Sequence, residues 1–146
     1  MTESSSSCAP TTSAMVDEGL EILTPAECWW LLASERVGRV VVTKAALPAV
    51  FPVNYIVRGS GILFLTGAGS KLRAAVDGSR VGFEVDHMDL VAESGWSVLG
   101  IGPVAEIHDQ VEVAAAKDAG LRSGAGGERS HLIRMSPEFL SGRRLV

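Results

Sequence analysis

From residue 37 onwards the chain consists of short runs of Val, Ile, Leu and Phe that are separated by glycine, proline and polar pairs. Such a pattern is typical of β-strands joined by tight turns. It predicts six strands, at residues 37–43, 49–57, 62–66, 80–85, 96–107 and 130–135, with a hairpin turn at 58–61. Closing a small sheet removes the exposed edges that an open sheet leaves, so six short antiparallel strands favour a Greek-key barrel. The predicted fold class is therefore mainly β with short helices.

Three short helices are predicted beside these strands. Thr24 is followed by Pro25 and then by Glu27, the pattern of a capping box with proline at the first helical position. It predicts a helix over residues 25–35. The residues expected to face inward from this helix are Cys28, Leu31 and Leu32. The other helices are predicted over residues 70–77 and 110–121.

The length of 146 residues is that of a single domain. Residues 1–18 are mostly Ser, Thr and Ala with little to bury, which predicts a disordered N-terminal tail before a folded domain at 19–146. Hydrophobic residues make up 47% of the chain and its mean hydropathy is +0.25. So much apolar surface must be buried in a core or in an interface.

Charge and composition exclude several classes of protein. A net charge of −4, with only three Trp, four Phe and one Tyr, argues against a nucleic-acid partner. No apolar run is long enough for a membrane helix, and the first residues do not resemble a signal peptide. The two cysteines, Cys8 and Cys28, suggest no disulfide framework. We expect a soluble cytoplasmic protein.

The first candidate site lies at residues 63–72, where a predicted strand runs through glycines into a predicted helix that opens at Ser70 and Lys71. Free backbone amides at a helix start, a hydroxyl and an ammonium together favour a phosphate group. The spacing is not that of the nucleotide P-loop. An ordinary strand-to-helix connection with a solvated lysine remains an alternative.

The second candidate is the segment 48–55. Pro48 and Pro52 each lack a backbone donor, so this strand cannot be paired along its whole length on both sides. Asn54 and Tyr55 add polar groups beside exposed main chain, which would suit a flat ligand with donors and acceptors on its rim. An edge strand with a bulge is the alternative.

The remaining candidates are weaker. Trp96 and Ser97, on a long glycine-rich strand, either border a cofactor or pack a corner of the barrel. No spacing of histidines and cysteines predicts a metal site, so the three histidines are expected at a surface or an interface. Glu84 and Asp86 share a strand face that we expect to be solvated, and Arg143 with Arg144 is expected at a solvated chain end.

Six short motifs, taken together and in order, resemble the pyridoxamine 5′-phosphate oxidase-like, FMN-binding split-barrel family. The resemblance covers about residues 23–145. The motifs are Val-Gly-Arg at 37–39, Phe-Pro-Val-Asn-Tyr at 51–55, Thr-Gly-Ala-Gly-Ser-Lys-Leu at 66–72, Val-Gly-Phe-Glu-Val-Asp at 81–86, Gly-Trp-Ser-Val at 95–98 and Ser-Gly-Arg-Arg at 141–144.

The resemblance implies a six-stranded split barrel that forms a homodimer and holds FMN at the subunit interface. In such proteins the strand matching Phe51, Pro52, Val53, Asn54 and Tyr55 lies along the isoalloxazine ring. The residues that match positions around the phosphate and the ribityl chain are Thr66, Ser70 and Lys71. The residues that match a strand bordering the flavin are Ser97 and Trp96.

Two departures from the family pattern narrow the expected function. The C-terminal basic and histidine residues that hold a second phosphate are not found, so vitamin B6 oxidation is not expected. The bulky Pro-Trp pair of shorter relatives is replaced by Leu-Arg-Ser-Gly-Ala-Gly-Gly at 121–127, which widens the pocket and leaves the substrate open.

The expected function is an FMN-dependent oxidoreductase that passes a hydride or electrons to a small-molecule acceptor. Two alternatives remain: a reductase using a 5-deazaflavin coenzyme, and a non-catalytic protein that stores or senses a flavin or haem.

Overall fold

The computed structural model describes residues 15–17, 19–67, 72, 80–122 and 130–145. Its helices are α1 (Pro25–Ser34) and α2 (Gln110–Asp118). Its strands are β1 (Met15–Asp17), β2 (Leu20–Ile22), β3 (Val37–Lys44), β4 (Leu47–Arg58), β5 (Gly61–Gly67), β6 (Arg80–Asp89), β7 (Ser94–Ile107), β8 (Ser130–Met135) and β9 (Phe139–Leu145).

Six of the strands close into an antiparallel barrel because β7 is long enough to pair with different neighbours along its length. Ser94–Pro103 of β7 pairs with β6, whereas Val104–Ile107 pairs with β8. The ring then runs from β6 through β3, β4 and β5 to β8. This confirms the predicted mainly β fold and the six-stranded antiparallel barrel.

The sheet continues past the barrel through β9, β2 and β1, and here two predictions were wrong. Arg143 and Arg144 lie on β9, which pairs with β7, rather than at a solvated end. Met15–Asp17, placed in the predicted tail, pairs with Leu20–Ile22 as β1, because Gly19 at φ +81° allows the tight reversal between them. The rest of the predicted tail lies outside the described residues.

Helix α1 forms where the capping box predicts it. Thr24 Oγ1 accepts from the Glu27 amide at 3.2 Å, and the Thr24 amide donates to Glu27 Oε1 at 3.0 Å. Cys28, Leu31 and Leu32 are buried, as predicted, and belong to the core inside the barrel. The helix therefore covers the inner core.

Two apolar clusters hold the barrel and its second helix together. The larger fills the interior around Phe64 and Phe83, both fully buried. The smaller lies outside the wall and joins Leu63, Leu65 and Leu132 to Ala116 of α2. The helix predicted over 70–77 lies outside the described residues except for Leu72, which packs on the larger cluster.

Within the ranges that the structure covers, no helix has the length and apolar character required to cross a membrane.

Candidate functional site

Strand β4 changes partner halfway along, and this opens a split in the barrel wall. Leu47–Asn54 pairs with β3, whereas Tyr55–Arg58 pairs with β5. In the described part of the chain no strand pairs with the other edge of Leu47–Asn54. This is the half that contains Pro48 and Pro52, so the expectation that the strand is not paired throughout on both sides is confirmed.

Strand β5 forms the other border of the split. Its last pair with β4 is Phe64 with Tyr55, whereas its pairing with β8 runs from Ile62 to Gly67. The two edges therefore diverge from the Tyr55–Phe64 pair and leave an opening between them. On the β4 side this opening is bordered by main chain that no strand of the described residues pairs with.

Thr66 lies on β5 just past the point where the split opens. It is two residues beyond Phe64 and so faces the barrel interior, where it is only 1% exposed. Its Oγ1 is the buried side-chain polar atom that has no hydrogen-bond partner among the residues described. A buried hydroxyl without a partner costs about 1–3 kcal/mol, so this atom is suited to bind a ligand oxygen.

The strand predicted to lie along a ring alternates between two environments. Phe51 and Val53 face the core, whereas Pro52 and Asn54 are exposed. Asn54 Nδ2 is 3.5 Å from the carbonyl oxygen of Arg122. The outward side chains and the free edge of the strand are therefore its accessible features.

The hydroxyl of Tyr55 does not face a ligand, contrary to the sequence interpretation. The side chain is 2% exposed, and its hydroxyl donates to the Leu32 carbonyl at 2.5 Å. Burial raises the pKa of Tyr55 far above its ordinary value, and the nearby Glu35 carboxylate adds to this rise. Tyr55 thus joins the barrel wall to the last turn of α1, and only its main chain borders the split.

Trp96 and Ser97 do not reach the split within one protomer. They lie on β7, which β3 and β6 separate from β4. Three strand spacings amount to about 14 Å across the sheet. Trp96 packs on the inner core, and Ser97 on the opposite face lies between Asp86 and Arg143 of the neighbouring strands. The predicted site residues of the described chain therefore fall into two groups, one at the split and the other on β7. Ser70 and Lys71 lie outside the described residues.

A histidine that sequence reasoning left aside borders Thr66. His131 of β8 lies directly opposite Thr66, and its Nδ1 is 2.6 Å from Glu106 Oε2. The two side chains therefore form a hydrogen bond between β8 and β7. The pairing of the predicted strands 62–66 and 130–135 is the signal that could have brought these residues together.

The outer face of β3 and β6 carries a charged cluster of Arg39, Glu84 and Asp86. Arg39 Nη1 lies 3.2 Å from Glu84 Oε1 and 3.3 Å from Asp86 Oδ2. Partial burial raises the pKa of Glu84 from 4.5 to about 7, and the adjacent Asp86 carboxyl adds to the rise. The Glu84 and Asp86 side chains are 27% and 29% exposed, so the expected solvated face is solvated in part.

An apolar row crosses five strands beside this cluster. Cross-strand pairing aligns its members on one face. They are Val50, Val41, Gly82, Ile101 and Phe139. Phe139 is 66% exposed and Val50 56% exposed. Apolar side chains that are aligned and exposed in this way are typical of a surface that another molecule covers.

Comparison with known proteins gives consistent matches. Residues 24–144 match a family model described as pyridoxamine 5′-phosphate oxidase. An uncharacterised protein of Mycobacterium tuberculosis is 34% identical over 125 residues, which are 82% of each chain.

Two solved structures match most of the chain. An FAD-binding protein from Mycobacterium smegmatis is 36% identical, with a TM-score of 0.72 over 84% of this chain and 95% of that one. An FAD-binding protein from Mesorhizobium loti is 25% identical, with a TM-score of 0.71 over 86% of this chain and 97% of that one.

Proposed function

This chain belongs to the pyridoxamine 5′-phosphate oxidase family, as its motifs predicted, and from that premise we propose that it is a flavin-dependent oxidoreductase. The flavin is held at the split between β4 and β5. Its substrate is a small molecule that accepts or gives a hydride or electrons. The observation that carries the proposal is the buried Oγ1 of Thr66, which has no partner in the described chain.

The residues of the split have separate roles in this proposal. Thr66 Oγ1 donates to an oxygen of the phosphate or ribityl chain, together with the predicted contacts from Ser70 and Lys71. The unpaired edge of β4 at Pro52 and Asn54 contacts the rim of the ring. When bound, a flavin takes up a hydride or electrons and passes them on, and the protein supplies binding and orientation.

We further propose that the protein is a homodimer in which the apolar row is covered by a second copy. A row of exposed apolar residues on five adjacent strands supports this interface. It also offers a role for Ser97, which lies on the same face of β7 as Ile101 and can border a flavin held by the other protomer, whereas Trp96 packs on the inner core.

The interface is tested by Ile101→Asp, which places a charge within the row. We expect sedimentation to show loss of the dimer. The matched control is Val111→Asp on α2, where the side chain is already 76% exposed and lies off the row. If Ile101→Asp dimerises as tightly as Val111→Asp, the apolar row is not the dimer interface.

The identity of the flavin is tested by titration. We propose FMN, and the second candidate is FAD, which is favoured by the names of the two FAD-binding relatives. Anaerobic titration of the protein with FMN, FAD, a 5-deazaflavin and haem, followed by absorbance and fluorescence, should give saturation with one flavin per protomer. Saturation by haem alone, or by none of the four, contradicts the proposal.

Turnover separates an oxidoreductase from a protein that only stores a flavin. The loaded protein should bleach with a reduced nicotinamide donor and recover its colour when an acceptor is added. Colour that never bleaches and recovers in this way supports storage or sensing instead.

A further inference from the structure

A groove of about 480 Å³ lies outside the barrel, between the outer face of β4 and the ends of α1 and α2. Three arginines line it, and each comes from a different part of the chain. Arg36 follows α1, Arg58 ends β4, and Arg122 follows α2. The groove thus collects cationic side chains from three separate elements.

None of the three guanidinium groups is paired with a carboxylate of the described residues. In the described part of the chain no carboxylate lies within ion-pair distance of Arg36, Arg58 or Arg122. Glu35 is the acidic residue in the lining, and it lies 3.9 Å from His87. All three arginines are exposed and line one groove, so the groove favours an anionic ligand.

The ends of the helices do not account for this set of arginines. A cation near a helix C-terminus is favourable, which could explain Arg36 and Arg122. However, the last turn of α2 is already closed by the amides of Ala119 and Gly120, which donate to Ala115 and Lys117. Arg58 belongs to a hairpin, in register with Gly61, and to neither helix.

The rest of the lining fits an organic ligand that is close to the proposed flavin site. Ile56 and Leu121 supply apolar walls. Asn54 lines the groove and also stands at the end of the free edge of β4. A molecule in the groove therefore reaches the strand along which the proposed flavin lies.

We propose that this arginine groove binds a small organic anion with two or more carboxylate or phosphate groups, and that such anions are the substrate class of the enzyme. The second half of this statement rests on the proposed function. Guanidinium groups recognise carboxylate and phosphate through the same paired hydrogen bonds, so both chemistries are tested.

Citrate and pyrophosphate are the probes, titrated separately into the flavin-free full-length protein at constant ionic strength and followed by calorimetry. We expect saturable binding of at least one of them, with one site per protomer. Arg58→Gln should weaken this binding about tenfold or more, and Arg36→Gln and Arg122→Gln should act in the same direction.

The matched control is Lys44→Gln, which removes the same charge from an exposed residue at the far end of β3. It should leave the affinity unchanged. No saturable binding of either probe, or an equal loss in Lys44→Gln and Arg58→Gln, overturns the proposal. Melting temperatures of all variants verify that each one folds.

A second titration separates the two halves of the proposal. In flavin-loaded protein the bound anion should shift the visible spectrum of the flavin, and Arg58→Gln should shift it at a correspondingly higher anion concentration. Anion binding without a spectral change overturns the substrate assignment alone. Anion binding by a protein that takes up no flavin overturns the proposed function and leaves the groove as a binding site.

Discussion

At the scale of single residues, the Thr66 side chain gives the strongest indication of a bound ligand. Its hydroxyl is buried without a partner in the described chain, so the flavin-free protein bears a desolvation cost there. Thr66→Val keeps the shape and removes the hydroxyl. We expect the flavin-free variant to be more stable by up to about 1–3 kcal/mol in urea unfolding and to bind flavin more weakly.

Thr43→Val on exposed β3 is the control for this prediction and should change neither quantity by a comparable amount. A Thr66→Val variant that binds flavin as tightly as the parent removes Thr66 from the site.

Tyr55 shows the opposite balance, because its hydroxyl is already satisfied. The Leu32 carbonyl belongs to the last turn of α1, where carbonyls lack partners within the helix. Tyr55→Phe leaves that buried carbonyl without its donor and should destabilise the protein by about 1–3 kcal/mol. Flavin affinity should not change, since the hydroxyl faces the core. Loss of affinity with unchanged stability in the same titrations would place the hydroxyl at the ligand instead.

At the scale of elements, β7 closes the barrel by changing partner at Gly102. Its pairing with β9 ends at Ile101, and its pairing with β8 begins at Val104. A Cβ on Gly102 would lie 2.0 Å from the carbonyl oxygen of Ser136, a backbone atom that has little freedom to move. Gly102→Ala should therefore destabilise the protein by about 2–3 kcal/mol.

Gly100→Ala on the same strand is the control for Gly102→Ala, since a Cβ there first meets the Pro137 side chain at an ordinary 3.4 Å. Equal midpoints of urea unfolding for the two variants would show that the Ser136 carbonyl does not exclude a side chain at Gly102.

The elements that sequence patterns predict are those with local signals. The capping box marks α1, and the prolines of β4 identify the strand that has a free edge. Strand β9 was missed because Gly142 and the two arginines interrupt the alternation of apolar and polar residues. Its partners β7 and β2 are also distant in sequence. The contact between His131 and Glu106, 25 residues apart, has no local signal either.

The side-chain alternation of β4 explains why the predicted site is only partly interpretable from sequence. Sequence indicated that the segment is exposed on one edge, which the pairing of β4 confirms. It did not indicate that the Tyr55 side chain faces inward, since orientation depends on register with β3 and β5. The arginine groove depends on three separate elements and is visible only in the fold.

At the scale of the whole molecule, the proposed dimer would bury a cluster with an uncompensated charge. Glu84 and Asp86 both pair with Arg39, while Arg143 lies two strands from Asp86, across Ser97. The neighbouring strands place Pro52 beside Arg39 and Leu99 beside Glu84, which add no charge. Covering this face favours the state in which one carboxyl holds a proton. Self-association should then be linked to pH.

The direction follows from the pKa of Glu84, which is raised from 4.5 to about 7. A raised carboxyl pKa means that the folded state holds the proton more tightly than the unfolded chain. The stabilisation is complete below about pH 4.5 and is lost as pH rises to about 7. Covering the cluster raises this pKa further, so dimerisation should weaken between pH 6 and 8, by about tenfold in sedimentation equilibrium.

Glu84→Gln supplies a permanent neutral group of the same shape and should flatten this dependence, so that the variant associates more tightly than the parent at pH 8. Glu93→Gln, at an exposed turn, is the matched control and should follow the parent. If the parent dimer is equally tight at pH 6 and pH 8, the cluster is neutralised by the second copy instead. In that case an arginine of the facing protomer must reach Glu84 or Asp86, and Glu84→Gln should weaken the dimer at both pH values, because it removes one partner of a buried ion pair.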